Sequence, residues 1–154
     1  MTLRLAYVDV YVLRGTGTAL EVLALRRAPG GRCPGSWETV HGHVEAGEAA
    51  HAAALRELQE ETGLVPARFY NLSRVELFYR HTVDEVALVP VFAALVARDA
   101  TVRLGVEHDT YAWLSAPDAA LRFAWPREKR GVYDALQLVG GGDAGPLEDV
   151  LRVC

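Results

Sequence analysis

The stretch from Gly42 to Leu64 constrains this chain more than any other part of the sequence, and it reads GHVEAGEAAHAAALRELQEETGL. From about Glu48 onward it consists mainly of Ala, Leu, Glu and Arg, which are strong helix formers. Gly63 stands where the left-handed cap of a helix belongs, and Gly47 lies just before the helical run. These residues therefore predict a loop, a helix and a second loop.

Three glutamates of the predicted helix share one stripe. Glu57, Glu60 and Glu61 stand at positions i, i+3 and i+4, so their carboxylates crowd about one helical turn. Like charges at this spacing repel by roughly 0.2–0.5 kcal/mol per i,i+4 pair, and a bound dication would reverse that effect. Mg²⁺ binds one or two carboxylates and takes its other ligands from water and substrate phosphates. The stripe therefore predicts a Mg²⁺ site, with Mn²⁺ as the alternative.

A glutamate-rich helix face is more often solvated surface than a metal site, but the complete spacing is far more specific. The stretch resembles the Nudix box: Gly, five residues, Glu, seven residues, Arg-Glu, an aliphatic residue, any residue, Glu-Glu, any residue, Gly, aliphatic. The matching residues are Gly42, Glu48, Arg56, Glu57, Leu58, Glu60, Glu61, Gly63 and Leu64. At residue frequencies of roughly one in fifteen, the fixed identities coincide by chance on the order of once in a hundred million windows.

The remainder of the chain predicts a mixed sheet with helices. Alternating apolar runs and turn residues indicate strands, and a density of Pro and Gly between residues 27 and 36 indicates a surface loop. The predicted strands are Thr2–Leu13, Ala19–Leu25, Trp37–Val40, Phe69–Arg80, Val86–Val96 and Tyr111–Leu114, and a second helix is expected at Arg127–Val139. The resemblance implies an α/β fold, a Nudix-type α/β/α sandwich. We expect a Nudix hydrolase domain at 1–140 and a peripheral C-terminal tail at 141–154.

The resemblance also implies roles for residues in and near the box. Glu57, Glu60 and Glu61 would be metal ligands, and Glu57 or Glu60 would serve as the general base, a choice that stays open. Arg56 and a later loop residue, Glu107, complete the predicted catalytic set, although an ordinary exposed glutamate is the alternative for Glu107. Further assignments are the carbonyl of His41 as a ligand, Glu48 as a structural partner of Arg56, and Gly42 and Gly63 as structural glycines. Many relatives have glycine where this chain has His41, so we expect a strained backbone there.

Two short segments, WETVHGH and EHDTYAWL, resemble the Nudix branch that hydrolyses dihydroneopterin triphosphate and nucleoside triphosphates. Cationic and aromatic side chains would then bind the phosphates and the base. The candidates are Arg26, Arg27, Arg32 and His43 for phosphates, and Trp37, Phe78, Tyr79 and Trp125 for stacking. His43 is equally a polar loop residue, and each aromatic is more often core or rim packing than a base platform.

The resemblance implies a metal-dependent pyrophosphohydrolase acting on a nucleoside triphosphate or a similar nucleoside-diphosphate-linked compound, including pterin triphosphate. One alternative is hydrolysis of dinucleoside polyphosphates, nucleotide sugars or capped RNA ends. Others are an allylic diphosphate isomerase and a non-catalytic module that senses a nucleotide. A pure binder has less need of clustered carboxylates, which favours the enzyme.

Composition excludes several other classes. The net charge of −4 carries no basic block, which disfavours a protein that coats nucleic acid but allows a small polyanionic substrate. Cys33 and Cys154 are the two cysteines, and the second is the final residue, so we expect no disulfide framework. No apolar run approaches the roughly 20 residues of a membrane helix, and the first residues do not resemble a signal peptide. We therefore expect a cytoplasmic protein with a nucleotide-like small-molecule substrate; exposed strand edges leave a homodimer open.

Overall fold

A computed structural model describes residues 1–154. Eight strands and four helices follow one another along the chain, with 3₁₀ turns at Gly17–Ala19 and Gly145–Leu147. The strands are β1 (Thr2–Leu5), β2 (Tyr7–Arg14), β3 (Glu21–Arg27), β4 (Trp37–Glu38), β5 (Val40–His43), β6 (Arg68–Arg80), β7 (Glu85–Leu95) and β8 (His108–Ser115). The helices are α1 (Ala50–Thr62), α2 (Ala116–Arg122), α3 (Pro126–Val139) and α4 (Glu148–Leu151). No helix is both long and apolar enough to cross a membrane.

The strands form one mixed sheet that is covered by helices on both faces. Its main path is β1-β7-β2-β3-β4, while β5 pairs with β2, β6 with β7 and β8 with β3. β1 and β2 run parallel to β7, and the other pairs are antiparallel. One core cluster joins the sheet to α2 and α3, for example Tyr11 to Val132, and another joins it to α1 through Leu58. The expected α/β/α sandwich is confirmed.

Two local expectations differ from the structure. The predicted strand Thr2–Leu13 is two strands, because β1 pairs with residues 85–88 of β7 whereas β2 pairs with residues 91–95. The two strands are separated by Ala6, whose N–H donates to the carbonyl of Leu88 at 3.2 Å. Helix α2 was not predicted, although Ser115 accepts a hydrogen bond from the N–H of Asp118 and Pro lies in the first turn. Both are recognisable helix-start signals.

The segment 141–154, expected to be peripheral, packs against the sandwich. Ala144 and Leu151 are buried in the core cluster that faces α3. The N–H of Val153 donates to the carbonyl of Phe69, and the N–H of Phe69 donates to the carbonyl of Cys154, each at 2.8 Å. The segment therefore extends the sheet at the start of β6, where that edge has no other strand partner.

Candidate active site

The apolar side chains of helix α1 fix the orientation of the helix about its own axis. Ala54 and Leu58 are completely buried against the sheet, and Gly63 ends the helix at φ 69° while its N–H donates to the carbonyl of Gln59. This orientation turns Glu57 and Glu61 inward toward β5, with exposed fractions of 9% and 4%. Glu60 lies outside this inward pair, with 58% of its side chain exposed. The predicted stripe of carboxylates is therefore split between an enclosed part and an exposed part.

Gly42 is required by the position of Glu57. A Cβ atom built on Gly42 would lie 2.0 Å from Cδ of Glu57, so only glycine leaves room for that carboxylate. Gly42 does not have a positive φ, and neither does His41. The strained backbone that we expected at His41 is absent because His41 lies within strand β5. Close approach, rather than backbone conformation, explains this glycine.

Arg56 fastens the loop before α1 to the helix. Its Nε and Nη2 atoms donate to the two carboxylate oxygens of Glu48 at 2.9 and 2.8 Å. Nη1 donates to Glu57 at 2.9 Å, and Nη2 also donates to the carbonyl of His43 at 2.8 Å. These contacts lower the pKa of Glu48 to about 2 and raise the pKa of Arg56, with the hydrogen bond to Glu48 as the largest cause. The ion pair expected between Glu48 and Arg56 is present.

We expect Arg56→Lys to lower the free energy of unfolding by about 1–2 kcal/mol, because an ammonium cannot reproduce the fork that holds Glu48 and Glu57. Urea unfolding of the parent and the variant measures the difference. Arg152→Lys is a matched control, since Arg152 donates to Glu148 from an exposed position at 3.1 Å, and its effect should stay within about 0.5 kcal/mol. Equal stability of both variants would contradict the role given to Arg56.

Glu61 is buried with only part of its carboxylate satisfied. Its Oε2 accepts a hydrogen bond from the N–H of His41 at 3.2 Å, whereas its Oε1 has no partner. Burial raises the pKa of Glu61 well above its ordinary value, and the nearby carboxylates of Glu38, Glu107 and Glu57 raise it further. A carboxylate in this environment is costly to ionise unless a cation joins it.

Glu61 lies beside two further potential metal ligands, Glu107 and His108. Ligand atoms of Glu61, Glu107 and His108 all lie within 4.8 Å of one another. The imidazole of His108 is fully buried, its Nε2 lies 2.8 Å from Oε1 of Glu38, and its Nδ1 has no partner. Arg27 borders this group, with Nη1 3.3 Å from Glu38 and 3.5 Å from Glu107. Clustered carboxylate oxygens suit a hard divalent cation such as Mg²⁺ or Mn²⁺, and the unpartnered Oε1 of Glu61 is an open ligand position, so the residues fit the expected metal.

The structure brings only part of the predicted substrate-binding set close to the carboxylates. Arg27 lies there, with Nη1 3.5 Å from Glu107. His43 lies there because its carbonyl accepts a hydrogen bond from Arg56, which also donates to Glu57. Arg26 instead pairs with Asp109 at 2.9 Å, and Trp37 packs on the core beneath Arg122. Tyr79 donates to Asp84 through its hydroxyl. These last three side chains are engaged away from the carboxylate cluster.

A buried polar cluster beside His41 was missed by sequence reasoning. Asp9 is completely buried on β2; it lies 2.7 Å from Nδ1 of His41 and accepts a hydrogen bond from Nε of Arg127 at 2.8 Å. Burial opposes ionisation of Asp9, but these partners outweigh it and lower its pKa. Tyr7 stacks on His41, with ring centroids 5.0 Å apart. A single acid inside an otherwise apolar strand was the available signal, because a buried acid requires partners.

Aromatic side chains adjoin this cluster at the start of α3. Trp125 meets Phe78 edge to face at 6.3 Å, and the guanidinium of Arg127 lies 5.5 Å from the Trp125 ring. Phe78 is 41% exposed. Phe78 and Trp125 are two of the four aromatic side chains predicted from the sequence, and they therefore form one surface. Cavities of about 430 and 550 Å³ open beside Arg74 on β6, and neither is lined by Glu57, Glu60, Glu61 or Glu107.

Comparison with known proteins shows which domain family this architecture matches. The NUDIX domain profile matches residues 3–136. An octanoyltransferase of Myxococcus xanthus is 39% identical over 122 residues, which are 75% of this chain and 32% of that protein. This chain thus spans about a third of the length of that relative. An asymmetrical bis(5′-nucleosyl)-tetraphosphatase of Rattus norvegicus is 34% identical over 104 residues, 66% of this chain and 69% of the relative.

A solved structure shares the fold across nearly the whole chain. A C. elegans Ap4A hydrolase, determined as a binary complex, superposes with a TM-score of 0.72 and 20% sequence identity. The superposition covers 92% of this chain and 99% of the C. elegans chain. At this identity the likeness establishes the fold alone.

Proposed function

Because this chain belongs to the NUDIX domain family, we propose that it is a divalent-metal-dependent hydrolase of a phosphoanhydride bond in a nucleoside triphosphate or similar nucleoside-diphosphate-linked compound. The observation that carries this proposal is the buried carboxylate of Glu61, whose Oε1 has no partner and which is flanked by the carboxylates of Glu57 and Glu107. Such a group is stabilised by a cation, and a bound divalent cation would promote hydrolysis of a polyphosphate.

In this proposal Glu57, Glu61 and Glu107 hold the cation, with Glu60 at the exposed rim and the carbonyl of His41 as a further ligand. A bound divalent cation supplies neutralisation of charge on the phosphate oxygens. Arg56 positions Glu57 through the contact at 2.9 Å. Glu60 is the proposed general base, because its side chain is 58% exposed and an attacking water can reach it.

The substrate would lie across the surface that the carboxylates share with the aromatic cluster. Arg27 and His43 are the proposed phosphate contacts, since Arg27 lies 3.5 Å from Glu107 and the carbonyl of His43 shares Arg56 with Glu57. Phe78 and Trp125 are the proposed stacking pair for the base, because they already meet at 6.3 Å and an aromatic ring offers an apolar face to any base. Arg26, Trp37 and Tyr79 have other partners and are left out of the proposed contacts.

A second candidate function is hydrolysis of a dinucleoside polyphosphate. The supporting observation is the 34% identity to the rat asymmetrical bis(5′-nucleosyl)-tetraphosphatase, over 69% of that relative. This candidate uses the same carboxylates and changes only what is attached to the terminal phosphate.

A substrate panel with product identification tests both candidates. It contains nucleoside triphosphates, pterin triphosphate, a dinucleoside tetraphosphate, a nucleotide sugar and capped RNA, each with and without Mg²⁺ or Mn²⁺. We expect metal-dependent turnover that releases pyrophosphate or phosphate from the triphosphates, whereas a dinucleoside tetraphosphate would yield two nucleotides. Calorimetric binding of a nucleotide with no product at saturating metal would reject hydrolysis and favour a sensing module.

A further inference from the structure

One end of the sheet has an apolar face that no helix covers. By strand register, Leu5 of β1, Leu88 of β7 and Leu77 of β6 form a row across the sheet. The neighbouring row consists of Leu3, Val86 and Tyr79 in the same strand order. Alternation along a strand places these rows on the side of the sheet that faces α1, because Phe92 and Ala94 of β7 point to the α1 core.

The side chains of this surface are strongly exposed. The exposed fractions are 66% for Leu3 and Leu77, 54% for Val75 and Tyr79, and 41% for Leu5. We call Leu3, Leu5, Val75, Leu77, Tyr79 and Leu88 the apolar sheet face. The opposite side of the same strands carries the charges, including Arg4 and Arg80, which both pair with Glu85. The exposed surface of a sheet normally has polar side chains, whereas the exposed surface of this part of the sheet has apolar ones.

The apolar sheet face is large enough to form the centre of a protein contact. With roughly 200 Å² for each large side chain, the exposed fractions amount to roughly 500 Å² of apolar surface. The largest apolar patch on a typical monomer is roughly 300–600 Å², and such patches are often functional. A stable protein interface buries about 800 Å² per partner, so this surface with a modest polar rim reaches the size that a dimer needs.

We propose that the apolar sheet face is the contact between two copies of this chain related by a two-fold axis. A two-fold contact places one patch against itself, so each charge in the patch would be buried twice, and one near the axis would meet its own copy. The apolar sheet face contains no charged residue, which makes it self-complementary. Beyond Tyr70, β6 pairs with no strand except β7, and its outer edge is free to lie along the same edge of the second copy.

This contact would involve the same strand as part of the proposed substrate site. Phe78 alternates with Leu77 and Tyr79 on β6, so it points to the opposite side of the sheet, where it contacts Trp125. A second copy packed on the apolar sheet face would restrain the β6–β7 hairpin that carries Phe78. The proposal depends on exposure and charge and not on the proposed hydrolase activity.

Sedimentation velocity across roughly 1–100 µM tests the proposal, because standard-size interfaces associate at micromolar concentration or below. We expect the parent chain to sediment at about twice the monomer mass of 16.8 kDa. Leu77→Glu and Leu3→Glu should each sediment as monomers at every concentration, since a two-fold contact would bury two like charges. Leu121→Glu is the matched control: Leu121 is 79% exposed on α2, which packs on the other side of the sheet, and this variant should remain dimeric.

Circular dichroism establishes that a monomeric variant is folded, and two variants are used so that one unfolded protein does not prevent a decision. A parent chain that is monomeric throughout the range overturns the proposal, as does a dimer that survives both substitutions on β1 and β6. Loss of the dimer in Leu121→Glu as well would equally reject this face as the contact.

Discussion

Glu61→Gln is expected to lower kcat by about 10²–10³-fold while leaving the metal-free protein at least as stable as the parent. The parent buries this carboxylate to 4% exposure with Oε1 unpartnered, and burial raises its pKa well above the ordinary value. Ionisation at neutral pH therefore opposes folding when no cation is bound. Glutamine has the same shape, can still accept the hydrogen bond from His41, and removes the charge that would hold the cation.

Calorimetric unfolding with and without Mg²⁺ distinguishes this role from a structural one. A ligand at 100 times its Kd stabilises a protein by about 2.7 kcal/mol, so the parent should show a rise in Tm with metal and Glu61→Gln should show little. Glu45→Gln is the control, because the side chain of Glu45 is 69% exposed and comes no closer than 4.0 Å to Arg56. Normal turnover and a normal metal-induced rise in Glu61→Gln would exclude Glu61 as a ligand.

Glu60→Gln separates the general base from the ligands. We expect turnover to fall by about a hundredfold, since the exposed carboxylate of Glu60 is the proposed proton acceptor. Because Glu60 stands at the rim, this variant should keep most of the metal-induced rise in Tm. If the rise disappears with the activity, Glu60 is mainly a ligand and Glu57 becomes the candidate base.

Gly42→Ala is expected to reduce kcat by about a hundredfold and to lower the free energy of unfolding by about 1–3 kcal/mol. The added Cβ would lie 2.0 Å from Cδ and 2.3 Å from Oε2 of Glu57, so the carboxylate must move. Arg56 resists the movement because its Nη1 holds Oε1 of Glu57. A displacement of about 1 Å at a reacting group is enough for a loss of this size.

Gly141→Ala is the matched control for the glycine substitution. An added Cβ at Gly141 meets nothing within 4 Å and the residue has no positive φ, so stability and turnover should stay near the parent values. Parent-like kcat in Gly42→Ala would show that the carboxylate of Glu57 is not needed at its observed position.

The prediction of α1 and its end at Gly63 succeeded because helix propensity and capping depend on neighbouring residues. The same local reasoning predicted a strained backbone at His41, which was wrong. Gly42 is glycine because Glu57 approaches from fifteen positions along the chain, and no local pattern contains that distance. The strand break at Ala6 was missed for a similar reason, since it follows from a change in pairing along β7.

The amino-acid sequence by itself determined the family, the carboxylate-bearing helix and the approximate positions of most strands along the chain, because periodicity and motif spacing are properties of adjacent residues. Only the tertiary structure decided which carboxylates are enclosed, which arginines are already paired, and that Asp9, Arg127 and His41 meet. The apolar face of β1, β6 and β7 was likewise visible only after strand pairing aligned its rows. Burial and charge compensation depend on contacts between distant segments, and folding alone brings those segments together.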